Sequence, residues 1–218
     1  MDIKVNPKTV IVFDLDDTLY NEITYLQSAY REIARKLDDK NWRLLYTQMF
    51  SLYRCKENVF EFLAKNHKID IAELIKLYRH HQPTIKLFPG VLTKFEDIKS
   101  LGGNLGLITD GRSKTQRAKL KALKIEEYFD CVIISEELGS EKPSANNYLA
   151  IEEKFPNHKY CYIADNFKKD FVAPNKLGWL SIGVQDNGLN IHFEAYKFTS
   201  KKHHPQHIIT SIEELNIT

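Results

Sequence analysis

Three carboxylates fall within four positions at Asp14, Asp16 and Asp17. The run that carries them, Phe13-Asp14-Leu15-Asp16-Asp17-Thr18-Leu19, follows directly on the apolar stretch Val10-Ile11-Val12-Phe13. Carboxylates this close repel one another, and a cation is the direct way to relieve the repulsion. Oxygen-only ligands select a hard ion, and Mg²⁺ is the usual one where phosphate is also handled. Alone, such a triplet reads equally as a solvated acidic turn. Three further segments bear on the choice. Leu107-Ile108 runs into Thr109-Asp110-Gly111, a hydroxyl and a tight turn. Ser140-Glu141-Lys142-Pro143 sets Lys142 just ahead of a helical pattern, where a helix N-terminus favours anions. Ala164-Asp165-Asn166-Phe167-Lys168-Lys169-Asp170 adds two more acids. Thr-Asp-Gly is common turn chemistry and a lone loop lysine is usually solvated, so none of these decides alone.

The elements that must position these groups are legible from periodicity. Short, continuous apolar runs at Val10–Phe13, Leu105–Ile108, Cys131–Ile134, Tyr160–Ile163 and Leu180–Ile182 read as strands buried on both faces. Between them lie helical patterns. Gly90 to Leu101 is closed by Gly102-Gly103, Ser113 to Leu123 opens with Ser113 and Gln116 at capping-box spacing, Ser144 to Lys154 follows Pro143, and Lys168 to Leu177 is interrupted by Pro174. The alternation predicts an α/β fold with a doubly wound parallel sheet. Ligands in such sheets bind outside the carboxyl ends of the strands, so all four polar segments fall on one edge. One stretch breaks the alternation. From about Glu22 to Tyr78 only helical stripes occur: Ile23, Leu26, Tyr30, Ile33 and Leu37; then Leu45, Met49, Leu52 and Tyr53; then Ile71, Leu74, Ile75 and Tyr78. The expected organisation is a core domain over 1–20 and 83–218, with an all-helical insert over 21–82. Beyond Asn187 the chain reads as a basic loop, an apolar pair at Ile208-Ile209, and a last turn with Ser211 and Glu214 at capping-box spacing.

The four segments, in this order and strand context, resemble the motifs of the haloacid dehalogenase (HAD) superfamily: Asp14-Leu15-Asp16-Asp17-Thr18, Thr109-Asp110-Gly111, Lys142-Pro143, and Asp165 with Asp170. The resemblance covers about Thr9 to Val184 and implies a Rossmann-like core with a helical cap inserted after the first strand. It further implies Asp14 as a nucleophile forming an aspartyl-phosphate, and Asp16 as general acid and then base. Thr109 is implied as a hydroxyl donor to the phosphoryl group, and Lys142 as the cation that balances its charge. A Mg²⁺ ion would be held by Asp14, by Asp16 through its main-chain carbonyl, and by Asp165. Asp170 would act as an outer carboxylate behind Lys142 or a metal-bound water. Main-chain amides near Asp16, Asp110 and Gly111 would complete a phosphate cradle. The sequence departs from the family pattern at Ala164, where glycine is usual, and at Pro174-Asn175, where small residues are usual; Asp110 stands where asparagine is also common.

Asp16 points to phosphoryl chemistry rather than dehalogenation, which needs no proton donor there and no metal. The expected activity is hydrolysis of a small phosphate monoester, a sugar phosphate or a nucleotide. The alternatives are a phosphomutase, a phosphonate-cleaving member using a cap lysine such as Lys56, or a catalytically silent phospho-ligand binder. Arg112, directly after Gly111, is a candidate for a second anionic group of the substrate. Arg54, Lys56, Tyr78, Arg79, His80 and His81 are candidate specificity residues of the insert, although each also reads as a solvated helix face or core aromatic. Adjacent residues on a helix point about 100° apart, which disfavours His80 and His81 as a metal pair.

The bulk properties exclude rather than select. Net charge is +2 over 218 residues, which calls for neither nucleic acid nor an anionic membrane as partner. The basic run from Lys197 to His207 reads as an exposed loop. Cys55, Cys131 and Cys161 are odd in number and widely spaced, which argues against a disulfide framework. No apolar stretch approaches the ~20 residues needed to span a bilayer, and no cleavable signal pattern opens the chain, so a cytoplasmic location is expected.

Overall fold

The computed structural model describes residues 1–218, which divide into two compact units: Met1–Glu22 with Lys86–Thr218, and Ile23–Ile85. In chain order the elements are β1 (Asp2–Ile3), β2 (Thr9–Phe13), α1 (Glu22–Leu37), α2 (Trp42–Arg54), α3 (Val59–His67), α4 (Ile71–His80), α5 (Val91–Ser100), β3 (Asn104–Thr109), α6 (Ser113–Leu123), β4 (Cys131–Ile134), α7 (Ser135–Leu138), α8 (Asn146–Lys154), β5 (Lys159–Ala164), α9 (Val172–Leu177), β6 (Leu180–Val184), β7 (His207–Ile209) and β8 (Asn216–Ile217).

The main sheet has six strands in the order β4-β3-β2-β5-β6-β7, all parallel. β2 lies inside it and every one of its residues is buried, which is why its sequence is a continuous apolar run rather than an alternating one. Val10 and Val12 on one face join a core cluster with Tyr148, Ile151, Tyr162, Phe171 and Trp179. On the other face Phe13 meets Phe95 of α5 edge-on, ring centroids 5.3 Å apart. Each such side chain taken from water contributes about 1.5–3 kcal/mol. Trp179 is nearly fully buried; its indole N–H donates to Glu152 at 2.8 Å and its ring stacks on Tyr160 at 4.7 Å.

Several local expectations need correction. α6 opens without a capping box: its N-cap residue is Arg112, the Ser113 N–H is taken by the Glu136 carboxylate at 2.8 Å, and Gln116 turns inward. α8 starts at Asn146, so Pro143 lies in the turn before it. α9 starts at Val172, which places Pro174 in the first helical turn, where a missing N–H costs no hydrogen bond. The apolar pair Ile208-Ile209 belongs to a sixth strand at the sheet edge, with Ile209 buried and Ile208 exposed. A separate parallel pair, β1 with β8, went unforeseen because each strand is two residues long. The basic segment before β7 carries short 3-10 turns at Ala195–Lys197 and Lys201–His203.

The helical unit has its own core of Leu26, Tyr30, Ile33, Ala34, Leu45, Met49, Val59, Leu63 and Leu74. It contains a helix with no foreseen stripe, α3, whose N-cap Asn58 accepts from the Phe60 and Glu61 N–H groups. Ile71, placed in the third stripe, is exposed. His81 is buried against Tyr25, with Nδ1 2.7 Å from the Tyr78 carbonyl oxygen, and Tyr78 packs on Tyr25, Tyr30 and Phe60. Both residues thus serve the packing of their own unit. Two guanidinium groups lie over the Trp42 ring here, Arg35 at 4.3 Å and Arg43 at 4.7 Å from its centroid.

The edge pairing makes Gly183 sensitive, because a Cβ there would stand 2.7 Å from Pro205 Cγ. Gly183→Ala is expected to destabilise the protein by about 1–3 kcal/mol through overpacking, seen as a lower urea midpoint by circular dichroism at unchanged slope. An unchanged midpoint would mean that the 205–209 segment does not pack on β6.

Candidate active site

The chemistry-bearing side chains of the α/β unit gather at the carboxyl ends of β2, β3 and β5. A cavity of about 160 Å³ there is lined by Asp14, Asp16, Asp17, Glu22, Thr109, Asp110, Asp165, Asn166, Lys169 and His192. Asp14 leaves β2 with its N–H still donated across the sheet to the Ile163 carbonyl at 2.9 Å, so its backbone is fixed by the ladder. Three residues on, Asp17 adopts φ 55°, a left-handed conformation that aspartate tolerates better than most residues. Its carboxylate accepts from the Glu22 N–H and the Ile191 N–H, both at 2.7 Å, and so ties down the turn after β2.

Lys142 is the cation at the centre. Its side chain is fully buried, with Nζ 2.8 Å from Asp14 Oδ1, 2.8 Å from Asp170 Oδ1 and 3.2 Å from the Tyr162 hydroxyl. Burial disfavours the ammonium, but the Asp14 and Asp170 carboxylates outweigh it and hold the lysine well above its usual pKa. Asp170 is further fixed by the Asn166 N–H, which donates to Oδ2 at 2.9 Å. The carboxylates are less well served than the lysine. Burial pushes the Asp14 carboxyl up to about 7 in spite of Lys142, and burial followed by the Asp170 and Asp14 charges pushes Asp165 well above the ordinary range.

This imbalance is the test of fit for a divalent ion. Carboxylate oxygens of Asp14, Asp165 and Asp170 lie within 4.8 Å of one another, and a single lysine among three buried acids leaves negative charge uncompensated. An all-oxygen donor set of that charge suits a hard dication. The family resemblance implies Asp14, Asp165 and the Asp16 main-chain carbonyl as ligands; the Asp170 carboxylate lies with those of Asp14 and Asp165, while the Asp16 carboxylate turns to partners on α6.

Asp16 is held by three side chains. Lys119 reaches both of its oxygens, at 2.7 and 2.8 Å; Gln116 donates to Oδ2 at 2.9 Å; and the Tyr20 hydroxyl donates to Oδ1. Burial works against its charge, but Lys119 prevails and holds the carboxyl below its usual pKa. Gln116 also donates to the Thr109 hydroxyl oxygen at 2.5 Å, which leaves the Thr109 proton available for an acceptor in the cavity. Lys119, Gln116, Tyr20 and Glu22 are not among the site residues that the sequence suggests, where Gln116 reads only as a capping residue. The available signal was the stripe Gln116, Lys119, Leu120, Leu123, which puts two polar residues on the buried face of α6.

The remaining foreseen residues divide. Asp110 stays at the cavity, where its carboxylate accepts from the Lys142 N–H at 3.1 Å and pairs with Lys169 at 2.7 Å. Gly111, at φ 133°, has its N–H donated to the Ser135 hydroxyl at 2.9 Å, so that amide is already occupied. Arg112 is not part of the cavity lining: it pairs with Glu136 at 2.7 Å, and its side chain is 63% exposed. The same Glu136 accepts the Ser113 N–H, which fixes a carboxylate beside Arg112 and explains its direction. Arg54 and Lys56 are exposed in the helical unit. His192 reaches the cavity from the loop after β6, held below its usual pKa by burial and by Lys169.

Comparison with known proteins supplies the family. Over 224 residues the chain is 25% identical to a glyceraldehyde 3-phosphate phosphatase of Methanocaldococcus jannaschii, covering 94% of each. It is 27% identical to the pyrophosphatase PpaX of Bacillus thuringiensis over 146 residues, 61% of this chain and 62% of that protein. YfnB of Bacillus subtilis, assigned as a HAD-hydrolase and bound to magnesium in its crystal structure, superposes with a TM-score of 0.67 at 18% identity, covering 97% of both chains. The family model for haloacid dehalogenase-like hydrolases matches residues 11–184, a span that holds every carboxylate gathered around Lys142, and the chain is an enzyme of that family.

Proposed function

We propose that the protein is a Mg²⁺-dependent phosphatase that cleaves a small phosphate monoester through an aspartyl-phosphate on Asp14. The observation that supports this reading best is the placement of Asp14 between a buried lysine, 2.8 Å away, and a second carboxylate, Asp165, that no lysine or arginine pairs. A nucleophilic carboxylate must meet a phosphate dianion without being repelled. Lys142 on one side and a cation shared with Asp165 on the other make that possible. Asp14, Asp165 and the Asp16 main-chain carbonyl would hold Mg²⁺, which when bound neutralises carboxylate and phosphoryl charge and orients the phosphoryl group.

In this reading Asp14 attacks phosphorus, and Lys142 and the Thr109 hydroxyl receive the non-bridging oxygens. Asp16 gives a proton to the departing oxygen and then takes one from the water that hydrolyses the acyl phosphate. Its ion pair with Lys119 favours the ionised form, so proton donation requires the carboxyl to turn away from Lys119 toward the cavity it already lines. Asp170 keeps Lys142 in place. The helical insert, residues 21–82 as read from the sequence, is the proposed cap. A phosphomutase would use the same first half-reaction, and release of inorganic phosphate separates the two.

The charge of the cavity bears on the substrate. Beside Asp14 and Asp165 it is lined by Asp16, Asp17, Glu22 and Asp110, while Lys169 is already paired with Asp110. A second phosphate would meet carboxylates there, and like charges cost several kcal/mol. A monophosphate with a neutral, hydroxylated remainder fits better. This favours a triose or sugar phosphate, in line with the glyceraldehyde 3-phosphate phosphatase likeness, over pyrophosphate.

Three measurements check this reading. Asp14→Asn is expected to lower kcat for an aryl phosphate with Mg²⁺ by on the order of 10³ or more while keeping the wild-type circular dichroism spectrum; wild-type turnover would remove the nucleophile assignment. Glyceraldehyde 3-phosphate is expected to exceed pyrophosphate in kcat/KM by at least about tenfold, and the reverse order would overturn the charge argument. Glu22 tests the electrostatics without the ion. Burial, then the Asp16 charge, with Asp17 and Asp14 adding to it and Lys119 opposing, pushes its carboxyl from 4.5 to about 8. Its stabilising contribution is therefore full below the unfolded value and lost as pH rises through the folded one. In metal-free buffer Glu22→Gln should melt above wild type near pH 8 and close to it near pH 4.5. Equal shifts at both pH values would exclude Glu22 as the source.

A further inference from the structure

The loop after β6 reaches the carboxylate cluster directly. It is shaped by its own side chains: Asp186 Oδ1 accepts from the Gly188 N–H at 2.7 Å and the Asn190 N–H at 3.2 Å, and Asn187 Oδ1 accepts from the Leu189 N–H at 3.0 Å. Two bonds fasten it outward, from Asn187 Nδ2 to Asn21 at 2.9 Å and from the Ile191 N–H to Asp17 Oδ2 at 2.7 Å. Between those anchors sits Asn190, 8% exposed, whose Nδ2 donates to Asp165 Oδ2 at 3.0 Å.

Asp165 differs from its neighbours in what holds it. Lys142 pairs with both Asp14 and Asp170, whereas Asp165 makes no ion pair. Its Oδ1 has only a long contact, 3.4 Å, with the Thr18 hydroxyl. The Asn190 amide is thus the short bond that sets the rotation of the Asp165 carboxylate. A neutral donor suits this task. A lysine there would compete with an incoming cation for the carboxylate, while an amide engages one oxygen and leaves the anionic charge and the other oxygen available.

We propose that Asn190 is a positioning residue for the divalent-cation site, holding Asp165 Oδ2 so that the carboxylate is presented to the ion before the ion arrives. The inference rests on the reading that Asp14 and Asp165 bind Mg²⁺, and the experiment separates the two. Mg²⁺ is titrated by calorimetry, in phosphate-free buffer and without substrate, into the full chain as wild type, Asn190→Ala, Asn190→Leu and Leu189→Ala. Leucine is close to asparagine in size and lacks the donor; Leu189, 48% exposed on the same loop, is the control.

Both Asn190 variants are expected to weaken the Mg²⁺ Kd by about 10–100-fold, with metal-free melting temperatures near wild type, while Leu189→Ala stays within about twofold. The corresponding gain in melting temperature on adding Mg²⁺ should shrink in the Asn190 variants alone. Wild-type affinity in a folded Asn190 variant would overturn the inference and leave the metal site standing. An equal loss in Leu189→Ala would overturn it in favour of general loop integrity, and failure of both Asn190 variants to fold would make the residue structural. A wild-type chain that takes up no Mg²⁺ would overturn the metal-site reading itself.

Discussion

Burying like charges together is the constraint around which the α/β unit is organised. Asp14, Asp165 and Asp170 crowd within 4.8 Å at the edge of a hydrophobic sheet, and the protein supplies one fully buried ammonium, Lys142, to hold them. An isolated buried carboxylate is costly, and a pair with one lysine is tolerable only when further hydrogen bonds satisfy it. Asp170 meets that condition through Lys142 and the Asn166 N–H. Asp14 and Asp165 meet it less completely, which is why their proton affinities are raised. In the proposed reading, this deficit of positive charge is what a divalent cation would relieve.

A second polar cluster stands beside the first with the opposite balance. Asp16 has Lys119, Gln116 and Tyr20, and its carboxyl is held below the ordinary range. Two aspartates only two positions apart thus shift in opposite directions from the same two influences: at Asp14 burial outweighs Lys142, whereas at Asp16 Lys119, helped by Tyr20 and Gln116, outweighs burial. Gln116 links the clusters by contacting both Asp16 and the Thr109 hydroxyl. In the proposed reading, environments that push these two acids apart suit a nucleophile and a proton carrier that share one cavity.

How much of this was legible follows from where each residue sits. Strands buried on both faces leave continuous apolar runs, so β2, β3, β5 and β6 could be read directly; β4 shows such a run too, although it lies at the sheet edge with only Ile134 fully buried, and Asp14, Thr109 and Asp165 could be read because each terminates such a run. β7 could not, since an exposed edge strand with one buried residue, Ile209, has no run to show. α3 was obscured because Val59 and Leu63 alone make a stripe too short to count. Lys119 was hidden by its type, as such side chains on a helix are ordinarily solvated, and Gln116 by its spacing from Ser113, which suggests a cap instead. Asn190 and His192 lie in a loop, where no periodicity predicts direction. Arg112 illustrates the converse: adjacency to Gly111 sets its position along the chain but not its orientation, and here it pairs with Glu136 outside the cavity lining.

The two tryptophans, one in each unit, give the molecule two independent optical reporters. Trp179 is buried among aromatic rings with its indole bonded to Glu152, whereas Trp42 has the guanidinium groups of Arg35 and Arg43 over its ring. Replacing either one by phenylalanine leaves an intrinsic fluorophore that responds to a single unit, so the unfolding order of sheet and helices can be followed by emission without attaching a dye.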